Sequence, residues 1–495
     1  MTAQTQSAPL KLNMKRTMLI GFAFFGILLL WQVYDSWCPT FLSELFAKAF
    51  YPEYEALRQQ NTLEAIAKCG DIIQKVQYPV GIMMAIDNVA ALILLPIFGR
   101  ISDKTHTRIG KRMPYILVGT FICSVAFPFI PVLFHYNNLA GVIIMMAIVV
   151  LFAMMYRNPA VALMPDITPK PLRSKANGII NIMGYIGGAF ATVVGLVFVL
   201  SNYLGTAVDK ETGLYKAHTW AYGNIWAVEG PFLVASVLML VSAVVLFITI
   251  KENKVEEEVK DEMARGELES EAAAPIDDDK PMSKANKAML IFILVAEFFW
   301  FMADNGISTF LNNYVIYGTQ SSSTSTMILT ILMGVGSVIG FAVGGIIASK
   351  IGRKWTLFGG LGLTLASYAV WTILTFAVGL PKGSIPVWLF VIWFVKGFGM
   401  SLVHVNSFPM VVELCSTKKI GQFTGYYYAS SMAAQTITPI ALGSLLYIPS
   451  FDWDFLPVYA TACVAIALVV FIFVKNVKST KTEFKKGLEA LGDDD

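Results

Sequence analysis

Long apolar runs separated by polar breaks fill almost the whole chain. Twelve can be told apart, at 17–42, 78–98, 114–134, 139–164, 176–201, 224–250, 287–312, 326–349, 355–379, 385–413, 421–447 and 455–475. A helix rising ~1.5 Å per residue needs ~20 apolar residues to cross ~30 Å of hydrocarbon. Strands of a membrane barrel would alternate apolar and polar residues, and these runs do not. The pattern predicts an all-α membrane protein of twelve spans. Segment 1–16 is polar up to Arg16, and the run that follows continues past Leu30 with no small-residue cleavage site. It is expected to stay in place as the first span. The longest break, 251–286, runs from Lys-Glu-rich sequence into Ala-Pro and Asp-Asp-Asp. It is expected to be a solvated, partly helical linker between a six-span bundle at 17–250 and a second at 287–475, with 476–495 as a polar tail.

Composition agrees with this division. Of the 495 residues, 56% are hydrophobic and 14% charged, where a soluble protein carries about 25% charged residues. A net charge of +3 gives no reason to expect nucleic acid. Cys38, Cys69, Cys123, Cys415 and Cys463 are scattered and odd in number, with neither a disulfide framework nor metal-ligand spacing. Lys and Arg are found in the loop after the second span (Arg100, Lys104, Arg108, Lys111, Arg112). They recur after the fourth (Lys170, Arg173, Lys175), the eighth (Lys350, Arg353, Lys354) and the tenth (Lys418, Lys419). The loops after spans three, seven and eleven have none. Positive loops stay in the cytoplasm, so both termini are expected there, with the chain in the plasma (inner) membrane and the bilayer as its partner.

The two halves repeat each other. Asp35-x4-Thr40-Phe41-Leu42 matches Asp304-x4-Thr309-Phe310-Leu311 at an offset of 269 residues. Asp166 and Gly178 match Glu413 and Gly425 at an offset of 247. A longer break in the first half, residues 43–77, accounts for the difference. Parallel six-span repeats around a central cavity are the pattern of major facilitator transporters.

A long gap-free motif follows the second span: Asp87, then Gly99-x3-Asp103-Lys-Thr-His-Thr-Arg108-Ile-Gly110-Lys111-Arg112-Met-Pro114. It resembles the signature of the glycoside–pentoside–hexuronide:cation symporters and the adjoining sucrose/maltose branch. Asn158-Pro159-x5-Pro165-Asp166, Ala176-Asn177-Gly178, Gly421-x3-Gly425 and Gln435 extend the resemblance over residues 17–475. In physical terms, Gly99 permits close packing of the second span. Asp103 can accept hydrogen bonds, and Arg108, Lys111 and Arg112 can meet acids opposite. Gly99, Asp103, Arg108, Gly110, Lys111 and Arg112 are therefore read as a conformational latch between the two bundles, with plain positive-inside topology as the alternative for the lysines.

Charges at span depth cost ~2.5 kcal/mol or more each, so they face a cavity or a partner. Here they are Asp35, Asp87, Arg157, Glu297, Asp304 and Lys396, with His404 nearby. Four acids against two bases leave at least one acid to be protonated in some step. In the melibiose-type symporters, two acids one turn apart in the second span form the cation site. The resemblance assigns the first to Asp87, but Ala91 stands one turn on. A single carboxylate suits a proton better than sodium, which takes several oxygen ligands. Asp87 is thus either the coupling group or half of a buried ion pair.

The first-span acid of that family contacts the sugar, and Asp35 matches it; Asp304 is its repeat equivalent. Each can accept sugar hydroxyls in a fork or stand as a half-solvated rim residue. Arg157, one turn from Val161, where sucrose-type relatives carry an arginine, is expected to reach the same cavity. Its repeat equivalent is His404. Lys396 is a partner for Glu297 or Asp304. Trp31 and Tyr34, one turn before Asp35, offer apolar ring faces to a sugar, although such aromatics are more often packing. Asn181 and Gln435 add neutral hydrogen-bonding groups.

These readings point to a proton-coupled symporter of a sugar, a glycoside or a disaccharide such as sucrose or maltose. A sodium-coupled or an uncoupled carrier or exporter is the alternative. No cofactor is implied, and a monomer suffices. An enzyme is disfavoured: His106, His135, His218 and His404 are isolated, and no phosphate-binding or nucleophile motif occurs.

Overall fold

The computed structural model of the chain describes residues 10–209, 211–215, 226–272, 284–380, 382–412, 414, 420–448 and 450–474. The tail 476–495 lies outside them, as do Glu413, Lys418 and Lys419. Among the described residues the architecture is helical, with one isolated bridge between Val208 and Tyr215. The helices are α1 (Met14–Phe50), α2 (Tyr54–Gln60), α3 (Leu63–Lys75), α4 (Gln77–Asp103), α5 (Met113–Ala126), α6 (Phe129–His135), α7 (Leu139–Asp166), α8 (Arg173–Val197) and α9 (Leu200–Leu204). They continue with α10 (Trp226–Thr249), α11 (Glu252–Ala272), α12 (Lys284–Asn313), α13 (Ser323–Ile351), α14 (Arg353–Val378), α15 (Val387–Val412), α16 (Ile420–Leu446) and α17 (Phe455–Ile472).

Among the described residues, eleven stretches are long and apolar enough to cross a membrane. The twelfth expected span, α16, matches them in length with 27 residues but is diluted by Tyr426, Tyr427, Tyr428, Ser430, Ser431, Gln435, Thr436 and Thr438. Local chemistry starts several helices. Asn13 accepts from the amide of Arg16 at 3.0 Å, and Asn138 from that of Gly141 at 2.9 Å, each satisfying an amide that a helix start leaves unpaired.

The break at 43–77 is not the loop the sequence reading assumed. α1 runs on to Phe50, and α3 leads into α4 as one stretch, Leu63–Asp103. Buried Ala65, Ile66, Cys69, Ile72 and Ile73 recur at helical spacing in α3, an amphipathic signal too short and polar to read as a span. The linker is likewise helical in part, as α11.

In the first half α1 packs on α8 and α10, and α7 on α4 and α5; in the second, α15 packs on α13 and α14, and α12 on α16 and α17. The halves meet where α4 packs on α16, α1 on α12 and α8 on α13. Association inside lipid depends on close backbone approach rather than on apolar burial. Gly81 of α4 supplies it: the carbonyl of Pro439 on α16 occupies the space a Cβ there would need. The assembly thus has a linker end, where α4 finishes and α11 lies, and a far end, where α4 begins and α12 finishes.

Candidate functional site

Adjacent residues on α1 point in different directions. Tyr34 is fully buried, and its hydroxyl donates a short hydrogen bond to Asp87 Oδ2 on α4. Asp35, one position on, is exposed at mid-helix. It lies within electrostatic reach of Arg157 on α7 and of Asp87. Its exposure is therefore to the interior of the first half, not to lipid. Arg157 also reaches Tyr428 of α16, across the halves. Trp31 packs edge-on against Tyr34, ring centroids 5.6 Å apart. The Trp31 indole nitrogen and the Tyr156 hydroxyl are buried without a hydrogen-bond partner, a cost that a bound polar molecule could relieve. One turn from Asp87 stands buried Ala91, so α4 itself offers no second carboxylate beside the acid.

Asn88 ties this cluster to the other half by donating to the Gln435 carbonyl at 3.0 Å. Gln435 and Asn181 are half-buried. Their side chains make no hydrogen bond among the described residues.

The second half answers one of the open pairings. Lys396 on α15, 3% exposed, donates to Asp304 Oδ1 on α12 at 2.5 Å and approaches the Met333 sulfur at 3.2 Å. Asp304 is thus neutralised within its own half, unlike its repeat equivalent Asp35. His404 lies against Phe301, ring centroids 5.4 Å apart. Glu297 has no ionic partner among the described residues.

At the far end a buried amide network joins the halves. Thr40 donates to Asn313 at 2.7 Å. Asn312 donates to Thr40 at 3.0 Å and to the Ser36 carbonyl at 2.8 Å. Asn313 donates to Ser43 at 2.9 Å and to Gln77 at 3.0 Å. Beside it Tyr317 donates to Glu44 at 2.7 Å, and Glu44 also pairs with Arg58 at 3.1 Å. Among the described residues, no hydrogen bond joins the halves nearer the linker end than Asn88–Gln435. The sequence reading assigned none of these far-end residues. Their signal is the Asn-Asn-Tyr that directly follows the second copy of the repeated motif.

The motif residues at the linker end form a separate cluster. Arg112 pairs with Asp103, and with Asp166 at 2.8 Å; Lys111 meets Asp166 and Glu256, each at 3.3 Å. Glu252, at the start of α11, accepts the backbone amides of Lys111, Arg112 and Met113 at 2.9–3.1 Å, capping α5. Burial pushes the Glu252 carboxyl above the usual range, against the pull of those three amides. Burial would lower Lys111, but Asp166 and Glu256 outweigh it and hold the ammonium above the ordinary lysine value. Gly110 has φ +119°, and the Glu252 side chain fills the place of its missing Cβ. Gly99 lies against Asn158 of α7, the close packing its sequence position suggested. The Arg108 carbonyl accepts from Asn253 at 3.1 Å. The latch thus binds the first half to the linker helix, where the sequence reading had placed it between bundles.

The profile of the family described as Major Facilitator Superfamily matches residues 75–341 and 293–491. No curated protein sequence matches the chain. Among solved structures, a D-xylose–proton symporter aligns with a TM-score of 0.62 at 15% identity, covering 94% of this chain and 98% of that one. The inward-open xylose transporter XylE from E. coli aligns at 0.59 and 14%, covering 96% and 97%. A bacterial homologue of the iron transporter ferroportin, inward-facing, aligns at 0.60 and 14%, covering 93% and 99%. At these identities the likeness is one of fold.

Proposed function

Because the chain belongs to the Major Facilitator Superfamily, and so is a multi-pass membrane transporter rather than an enzyme, we propose that it carries a sugar together with a proton. The observation that carries this reading is the Tyr34–Asp87 hydrogen bond beside the exposed Asp35 and Arg157. Asp87 with one phenol offers three oxygens, fewer than a sodium ion takes and enough for a proton. Asp35 and Arg157 supply an acceptor and a donor fork for hydroxyls, and half-buried Trp31 an apolar ring face. Tyr34, expected from the sequence to share that role, is fully buried and serves Asp87 instead. Asn181 and Gln435 have free side-chain amides to complete the contacts, while Asp304, held by Lys396, plays a lesser part. Fold neighbours include a D-xylose–proton symporter, but also an iron-transporter homologue, so the cargo is argued from these side chains.

Alternating access follows from the unequal ends. With the linker end cytoplasmic, as the Lys and Arg pattern predicts, this conformation is sealed outside by the Thr40–Asn313 network. A protonated Asp87 would then exchange with the cytoplasm.

Uptake of a panel of mono- and disaccharides into proteoliposomes, with imposed proton or sodium gradients, tests the reading. Accumulation driven by protons is expected, and D87N should abolish it while leaving sugar exchange intact. No sugar uptake under any gradient would overturn the cargo. Accumulation driven by sodium alone would overturn the coupling ion.

A further inference from the structure

Glu297 has a place in neither the Asp87 cluster nor the Lys396–Asp304 pair. It lies at mid-span on α12, 0% exposed, and among the described residues neither carboxyl oxygen has a hydrogen-bond partner. From it, we infer that Glu297 is a second proton-binding group of the transport cycle, holding its proton in this conformation and releasing it in the alternate one. This rests on the proton-coupled reading above.

The first half of the claim follows from burial. An isolated carboxylate inside an apolar medium is far more costly than a neutral carboxyl. With no cation beside it, Glu297 is stable here only as the acid. A purely structural residue at that place gains nothing from being ionisable, since leucine would fill the space without two unsatisfied oxygens.

The second half follows from the neighbours. Glu297 precedes Asp304 by seven residues, two helical turns, so both lie on one face of α12 about 10 Å apart, with Phe301 between them. From α15, His404 lies against Phe301 and Lys396 holds Asp304. From α16, Tyr427 and Tyr428 lie within electrostatic reach of Glu297, Tyr427 also bonding Ser407 at 2.9 Å. From α17, Tyr459 and Cys463 lie further along, Tyr459 at Gly306. On α1, which packs on α12, Asp35 is the charge at mid-helix, with Lys15, Arg16, Glu44 and Lys48 toward the helix ends. Of these groups Tyr428 stands apart: it is exposed, and it lies within reach of both Glu297 and Arg157 of the other half.

Through Tyr428, Glu297 thus faces Arg157, a cation of the other half that makes no ion pair among the described residues. When the halves repack at the linker end, Arg157 and water can approach the α12–α16 seam. The Glu297 O–H bond then breaks, the electron pair stays on the carboxylate, and the proton passes to water on the side then open. Reprotonation accompanies the return to the buried state.

Two measurements on the full chain test this. Infrared titration of the substrate-free protein at neutral pH should show a protonated-carboxyl band that E297Q lacks and D87N retains. Absence of such a difference would overturn the assignment. In proteoliposomes, with a panel sugar that the wild type accumulates, E297Q should keep exchange but lose proton-driven accumulation, and E297D should restore it. Accumulation undiminished in E297Q would overturn Glu297's part alone. A wild type that accumulates no sugar under a proton gradient would overturn the proton-coupled reading, and Glu297's role in the cycle with it. The infrared band identifies which of the two has failed.

Discussion

Thr40 of α1 donates a 2.7 Å hydrogen bond to Asn313 of α12; Thr40 belongs to the first copy of the repeated motif, and Asn313 stands two residues beyond the second, which ends at Leu311. The Asp35 and Asp304 copies therefore face one another at the far end of the molecule. Repetition in the sequence has become an interface between halves. Both side chains are fully buried and uncharged, a combination that can seal a passage yet separate without stranding an ion.

Replacing Asn313 with leucine should loosen this seal. Gln77, Thr40 and Ser43 would each lose one buried partner, at ~1–3 kcal/mol in all. The far-end-open population should then rise by at least about fivefold. Spin labels at exposed Glu55 and Lys382 report the distance across that end. An unchanged distance distribution in N313L would show that the network does not govern closure.

Lys396 and Asp304 should behave as a unit. Removing only the lysine leaves a buried carboxylate unpaired, at ~3–5 kcal/mol, whereas removing both charges leaves nothing to compensate. K396M should therefore melt well below the wild type in detergent, and K396M/D304N should recover much of the loss. A double variant less stable than K396M would contradict a role as mutual counter-ions.

The spans, their grouping into halves and the polar face of α1 were all legible in the sequence, because lipid forces apolar runs of fixed length and leaves few reasons to place Asp35 or Asp87 among them. Partnership was less so. Whether Lys396 met Glu297 or Asp304 turned on the direction of side chains from three helices, which spacing along one chain does not carry. The far-end seal was missed for another reason: Asn312, Asn313 and Gln77 are neutral amides, whose cost at span ends is small enough to pass unnoticed. That 251–286 is helical in part was expected, but the anchorage of α11 through Glu252 was not, because its charged composition fits a solvated linker as well as a docked helix.

Gly110→Ala tests that anchorage. A φ of +119° strains any residue with a Cβ, and here the Cβ would also meet the Glu252 side chain. A penalty of ~1–3 kcal/mol should fall on the contact between the loop and α11. Limited proteolysis within 252–272 should become faster in G110A, with transport altered less than α11 protection. Equal cleavage rates would mean the clasp tolerates the methyl group.

The charge at Lys111 gives the same region a pH dependence with a definite sign. Asp166 and Glu256, each 3.3 Å away, hold this ammonium above the ordinary lysine value in spite of partial burial. A base whose folded value is raised takes up protons more tightly when folded. Its contribution is complete below the unfolded value of about 10.4 and fades as pH climbs through the higher folded one. The difference in melting temperature between wild type and K111M should therefore hold steady between about pH 7 and 9 and shrink above about 10.4. Arg112 keeps its charge throughout, so the Asp103 and Asp166 contacts it makes should survive that titration and leave a residual stability in both proteins. A difference that does not shrink as pH rises above about 10.4 would mean that the Lys111 charge adds no stability to the cluster.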